Sequence, residues 1–396
     1  MWPEAEHRLP RGPLSGVRVV DLSRIIAGPL TTLYLADLGA DVIKIERPGS
    51  GDEMRGYGPG RWNGQGSTFL ALNRNKRSVV LDLTSEEGRG HLRALLKDAD
   101  VVVDSYRPGV MRRWGLTHEE LTVDNPALVQ CSISGFGGKG PFADLGANNL
   151  IAEAFGGTIS VTAGADENRM RSGPPMTDYF TGTCAALAIT AALRTPREER
   201  VGTHIELSLL EAQAMMMSGY IVGHLGTGEV PDGRSGLPFT VPNQIFHASD
   251  APLVLAVNSE AMWHRMCVAI EREDWATRPE YATNALRMGR QSEIVELLDE
   301  VLATRGRAHW LERFAEERVT AAPVNDVRDL LEHPQVEALD ILLPTPTEDV
   351  PDLRTVRLPF TYGHEEEAPE VHRGPPALGE HTEQVLRVLN GERDTT

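Results

Sequence analysis

Short runs rich in β-branched residues recur through the first half of the chain, at residues 17–22, 42–46, 79–83, 101–106 and 128–134. Stretches with helical spacing of apolar positions lie between them. The clearest is 85–97, where Thr84 and Glu87 have the spacing of a capping box, and residues 30–38 predict another helix. Strand and helix in alternation imply right-handed crossovers and a mostly parallel sheet covered on both faces. The expected fold class is therefore α/β, with a Rossmann-like sheet. A run of small and apolar residues, 184–193, predicts a buried helix with Asp178 near its N-terminal entry. The pattern then breaks: residues 219–242 hold six glycines and three prolines without periodicity, the composition of a linker or mobile loop. Residues 243–257 predict short strands and 263–318 predict helices, together a smaller α+β domain anchored by Trp263 and Trp310.

Length and composition fit this picture. A chain of 396 residues exceeds what one compact core usually holds. The start is polar, and no apolar run approaches the roughly 20 residues that cross a bilayer, so the expected compartment is the cytoplasm. Cys131, Cys184 and Cys267 lie too far apart for a disulfide framework or a zinc knuckle, and no metal is expected. The net charge of −18 repels polyanions and excludes a general nucleic-acid binder. An anionic ligand would have to meet local basic clusters, and two sit at predicted strand ends: Arg74, Lys76 and Arg77, and Arg107, Arg112 and Arg113.

Gly135-x-Gly137-x-x-Gly140 follows a predicted strand and has the spacing of a dinucleotide fingerprint. Pro141 follows at once, and no acid ends a second strand about 20 residues on, as ribose recognition requires. Close backbone approach to a ligand, or a tight turn, is the better use of these glycines. Asp178 has two readings. A carboxylate at a helix entry accepts backbone N–H bonds and feels the positive end of the dipole, so it should stay ionised. That makes it a structural cap or a nucleophile.

Co-linear motifs run along most of the chain: Ala27-Gly28-Pro29, Gly39-Ala40-Asp41-Val42-Ile43-Lys44-Ile45-Glu46, Asn75-Lys76-Arg77-Ser78, Tyr106-Arg107-Pro108-Gly109, Ser134-Gly135-Phe136-Gly137, Asp178 to Gly182, Pro323-Val324-Asn325 and Leu378-Gly379-Glu380-His381-Thr382. Together they resemble the family III CoA-transferases, the relatives of formyl-CoA transferase, carnitine CoA-transferase and α-methylacyl-CoA racemase. The resemblance implies acyl-CoA and a carboxylate acceptor as substrates, with no ATP, metal or redox cofactor. It also implies a homodimer of interlocked ring-shaped chains. It divides the chain into a large domain beginning at 1–218, a linker and small domain at 219–322, and a return segment, 323–396, that completes the large domain. Coenzyme A contacts are implied at Ile25, Ile26, Ala27, Arg47, Leu72, Asn75, Lys76, Arg77, Ser105, Tyr106, Arg113, Gly137, Gly138 and Lys139, with backbone N–H groups of the glycine loop near the thioester. Asp178 is the implied catalytic residue, attacking the thioester to give an aspartyl anhydride and then an aspartyl-CoA thioester.

Three departures from the family pattern shape the reading. Racemases carry a histidine and an aspartate where this chain has Asn148 and Asn149, and an amide cannot abstract a proton; Glu260 alone falls near their glutamate. Transfer is thereby favoured over racemisation. Formyl-CoA transferase has a glutamine where Ile26 stands, which points here to a larger or less polar acyl group. Its glycine-rich lid is reduced to Gly233 and Gly236 in the segment 232–238. A CoA-binding protein without turnover, which would have no use for Asp178, is the remaining alternative.

Overall fold

The computed structural model describes residues 2–3, 12–162, 169–231, 240–361 and 373–391. The chain divides into two compact units, residues 1–231 with 341–396, and residues 232–340.

The first unit is built on a six-stranded sheet of β1 (Arg18–Asp21), β2 (Asp41–Glu46), β3 (Lys76–Val80), β4 (Val101–Asp104), β5 (Val129–Ser134) and β6 (Thr203–Ser208), in the order β3-β2-β1-β4-β5-β6. Every neighbouring pair is parallel. The main helices of this unit are α1 (Ala27–Asp37), α2 (Glu86–Leu96), α3 (Asn149–Phe155), α4 (Met176–Leu193), α5 (Leu209–Met216) and α6 (Ser218–Thr227). Successive strand side chains point to opposite faces, and both faces are covered. Val19, Val42, Val101, Val103, Val129 and Cys131 pack with Leu35 of α1 and with Ala185 and Ile189 of α4. Val20, Ile43, Val79 and Val102 pack on the other face with Leu92, Leu95 and Leu96 of α2. The strand order reverses at β1, so β1 and β4 flank a crevice at their carboxyl ends, the place where open α/β sheets bind ligands.

The second unit holds β7 (Asn243–His247), β8 (Pro252–Ala256) and β9 (Thr320–Pro323) as an antiparallel sheet in the order β9-β8-β7. Its own core includes Phe246, Leu253, Trp263, Met266, Trp275, Ile294, Leu298, Trp310 and Phe314.

Several local expectations need correcting. Residues 218–227 form α6 rather than a linker, because that stretch continues from the turn that ends α5. The compact units change over at 232 and 341, later than the sequence boundaries of 219 and 323. The N-cap of α2 is Ser85, whose hydroxyl accepts from Gly88 N–H at 3.0 Å, while Thr84 donates to Asp82. Strand β6 escaped the pattern reading, although Thr203-His204-Ile205-Glu206-Leu207-Ser208 alternates with period two. The glycine segment 232–238 lies outside the described residues.

Candidate active site

Asp178 sits in the first turn of α4, and that helix is docked closely on α1. A Cβ added to Gly182 would lie 2.5 Å from the carbonyl oxygen of Ala27, so only glycine permits this approach. Thr31 of α1 reinforces it, donating to the Gly182 carbonyl at 3.1 Å. Asn149, at the start of α3, satisfies the free N-terminus of α4: its side-chain oxygen accepts from Thr177 N–H at 2.9 Å and from Asp178 N–H at 3.4 Å. Asn149 in turn donates to Glu153 at 2.8 Å, a side chain only 1% exposed that also accepts from Ser172. Gln213 of α5 donates to the Thr177 hydroxyl at 3.0 Å. The Asp178 backbone is thus held from three helices.

This arrangement raises the Asp178 carboxyl above the range expected of an ionised cap. The N–H groups of Thr177 and Asp178 are taken by Asn149, Asp178 is only 8% exposed, and the Glu153 carboxyl lies nearby. Burial first, and Glu153 second, push the Asp178 carboxyl up to about 7. It is neither a helix cap nor a permanently ionised group.

Asp178 opens into a cavity of about 410 Å³ at the carboxyl ends of β1, β4 and β5. Arg24, Ile25, Ile26, Ala27, Ser105 and Tyr106 form one side of it. A second cavity of about 320 Å³ lies at the ends of β1, β2, β3 and β4, with Lys44, Arg47, Leu81 to Thr84, Arg113 and Trp114 in its wall. Arg24 and Tyr106 line both, so the cavities adjoin across the sheet's switch point. The turn between them is fixed from neighbouring strands: Arg24 N–H donates to Ser105 Oγ at 2.9 Å and Ile25 N–H to Asp52 at 3.3 Å. Ile25 has φ of 73°, a strained backbone for a β-branched residue, in the wall beside Asp178. Tyr106 and Trp114 meet edge to face at 5.0 Å.

Of the sequence candidates, the structure brings Ile25, Ile26, Ala27, Ser105, Tyr106 and Asp178 to the first cavity and Arg47, Tyr106 and Arg113 to the second. Leu72, Asn75, Lys76 and Arg77 line neither, and the reason is burial. Lys76 Nζ is 3.2 Å from Asp21 and also donates to Pro29 O and Asn73 Oδ1. Arg77 makes paired bonds to Asp41 at 3.0 and 2.6 Å, and Asn75 Nδ2 donates to Asp37 at 2.9 Å. Arg74 is likewise paired with Asp37. These side chains are engaged in buried ion pairs and hydrogen bonds, whereas the positions that line the second cavity come after β3, at Leu81, Asp82, Leu83 and Thr84. Sequence reasoning missed those four; their place after a predicted parallel strand was the available signal. Gly137, Gly138 and Lys139 line neither cavity, and Gly137 N–H already donates to Ser134 Oγ at 3.0 Å, so it is not a free oxyanion donor. Asn148 caps α3 through Ile151 N–H. In the second unit, burial works to raise the Glu260 carboxyl, but bonds from Arg287 and Asn284 N–H outweigh it and hold the group below its ordinary range, unsuited to a base.

The model of CoA-transferase family III matches residues 14–382. The chain belongs to CoA-transferase family III. The transferase is 34% identical over 385 residues to a succinate–glutarate CoA-transferase of Agrobacterium fabrum, covering 95% of this chain and 96% of that one. It is 32% identical to the succinyl-CoA:glutarate CoA-transferase of Mus musculus, covering 95% and 85%. Among solved structures, a CAIB/BAIF family protein from Brucella suis superposes with a TM-score of 0.85 at 30% identity, over 96% of this transferase and 100% of that chain.

Proposed function

We propose that this CoA-transferase moves CoA from a dicarboxylic acyl-CoA to a dicarboxylic acid, with Asp178 as the covalent relay. The observation that carries this reading is a single buried carboxyl in the wall of a cavity that adjoins a second one, lined by Arg47 and Arg113 together with Glu46, Asp52 and Asp82. The second cavity offers Arg47 and Arg113 to phosphates and the Tyr106–Trp114 pair to an adenine ring, so the thiol end of CoA would lie toward Asp178. The succinate and glutarate specificity of the two relatives supports the substrate class.

Asp178 attacks the thioester carbonyl; the C–S bond breaks, leaving an acyl-aspartyl anhydride and CoA thiolate. The thiolate then attacks the Asp178 carbonyl carbon and releases the donor as its carboxylate. The acceptor carboxylate attacks the resulting aspartyl thioester, freeing thiolate again, and a last attack on the acceptor carbonyl forms the new acyl-CoA and regenerates Asp178. Apolar walls from Ile25, Ile26, Ala27 and Leu209 keep water from the anhydride. A homodimer accords with exposed apolar side chains on α4, α5 and α6, among them Leu187, Met215, Val222 and Leu225. Chromatographic detection of glutaryl-CoA from succinyl-CoA and glutarate tests the reaction; failure with every dicarboxylic pair while monocarboxylic acyl groups transfer would refute the substrate class.

A further inference from the structure

The arginine and carboxylic acid side chains lining the Asp178 cavity are Arg24, Arg107 and Asp178 itself. The rest of its wall is apolar or uncharged, with Ile25, Ile26, Ile133, Leu145, Ile151 and Leu209 the bulky members. A carboxylate entering such a space needs a cation to replace its water. Arg24 is already engaged in an ion pair with Glu53, a carboxylate it shares with Arg47 at 3.3 Å. The Arg107 guanidinium has no hydrogen-bond or ion-pair partner among the described residues.

A second feature bears on the position of that guanidinium, whose residue is exposed. It lies against Gly146 in the loop before α3, where an added Cβ would come within 2.8 Å of Nη2 and 3.2 Å of Cζ. Any side chain at 146 would displace it. The glycine leaves room for the exposed Arg107 side chain beside the loop from Leu145 to Asn148, itself part of the cavity wall.

We infer that Arg107, seated over Gly146, binds the distal carboxylate of a dicarboxylic acyl group or acceptor while its reacting carboxyl lies at Asp178. This subsite rests on the proposed reaction and adds the residue that reads the second carboxylate. The fork geometry matches a carboxylate through two parallel N–H bonds, which a lysine would reproduce only as a point charge. An acid with one carboxyl leaves the guanidinium unmatched and is discriminated against.

The test compares glutarate with valerate, acids of equal chain length, as acceptors from succinyl-CoA. Arg107→Leu is expected to lower the glutarate-to-valerate ratio of kcat/KM by about tenfold or more, Arg107→Lys by less, and Gly146→Ala in the same direction with the arginine intact. Calorimetric binding of the same two acids to wild type and Arg107→Leu makes the comparison without turnover. Absence of any transfer therefore counts against the proposed reaction, while binding still decides the subsite. A ratio that does not move in Arg107→Leu, or equal loss of both acids in turnover and binding, would overturn the inference.

Discussion

Asp178 is held at the edge of ionisation, with consequences for stability and for the proposed reaction. A nucleophilic carboxylate must be deprotonated, so kcat/KM is expected to rise with pH through a limb near 7. Glu153 contributes to the raised value, and Glu153→Gln retains its acceptor for Asn149 while removing the charge. That variant should move the limb to lower pH, and an unmoved limb would show that the Glu153 charge does not reach Asp178. Stability follows from linkage. An acid whose pKa is raised in the folded state binds more protons there than when unfolded, so stability is full at low pH and falls as pH rises from about 4 to about 7. The shift from 3.8 to about 7 corresponds to at most roughly 4 kcal/mol. Asp178→Asn should therefore raise the melting temperature at pH 8 and have little effect at pH 4, measured by thermal denaturation across that range. An equal effect at both pH values would exclude the titration as its source.

At the scale of elements, strands β1 to β5 and helix α2 were legible because period-two and period-3.6 patterns survive burial on both faces. Strand β6 was not, since its alternation lies against the apolar start of α5. The candidate site was half legible. Cavity-lining positions after β1 and β4 were read from the sequence because a crevice forms at the carboxyl ends of parallel strands. Positions after β3 were displaced toward its amino end by Lys76 and Arg77, whose charge suggested phosphate; a linear sequence does not show that folding brings Lys76 to Asp21 of β1 and Arg77 to Asp41 of β2. The two kinds of arginine should separate by experiment. Arg77→Ala leaves Asp41 buried and unpaired and should cost about 3–5 kcal/mol in chemical denaturation. Arg113→Ala, at an exposed position in the second cavity, should leave stability near wild type and raise KM for acyl-CoA by about tenfold, close to 1.4 kcal/mol. Similar stability losses in both would contradict the assignment.

Over the whole molecule, the two cavities described are lined by residues of the first unit, and the second carries its own core from Val241 to Val319. Residues 232–340 expressed alone should show a cooperative thermal transition by circular dichroism, whereas a broad, non-cooperative melt would mean that this core depends on the rest of the chain. The net charge of −18 belongs to the surface at large, while the cations that matter here, Arg47, Arg107 and Arg113, line cavities at one edge of the sheet. This contrast explains why bulk composition excluded nucleic acid and yet was silent about an anionic cofactor.

The central claim is that Asp178 forms a covalent acyl intermediate. Incubation with succinyl-CoA, quenching with hydroxylamine and peptide mapping by mass spectrometry test it directly, with Asp178→Ala as control. A hydroxamate is expected at Asp178 in the wild type and none in the variant. A protein that exchanges CoA between acids with Asp178 unmodified, or that turns over equally well without it, would contradict the account.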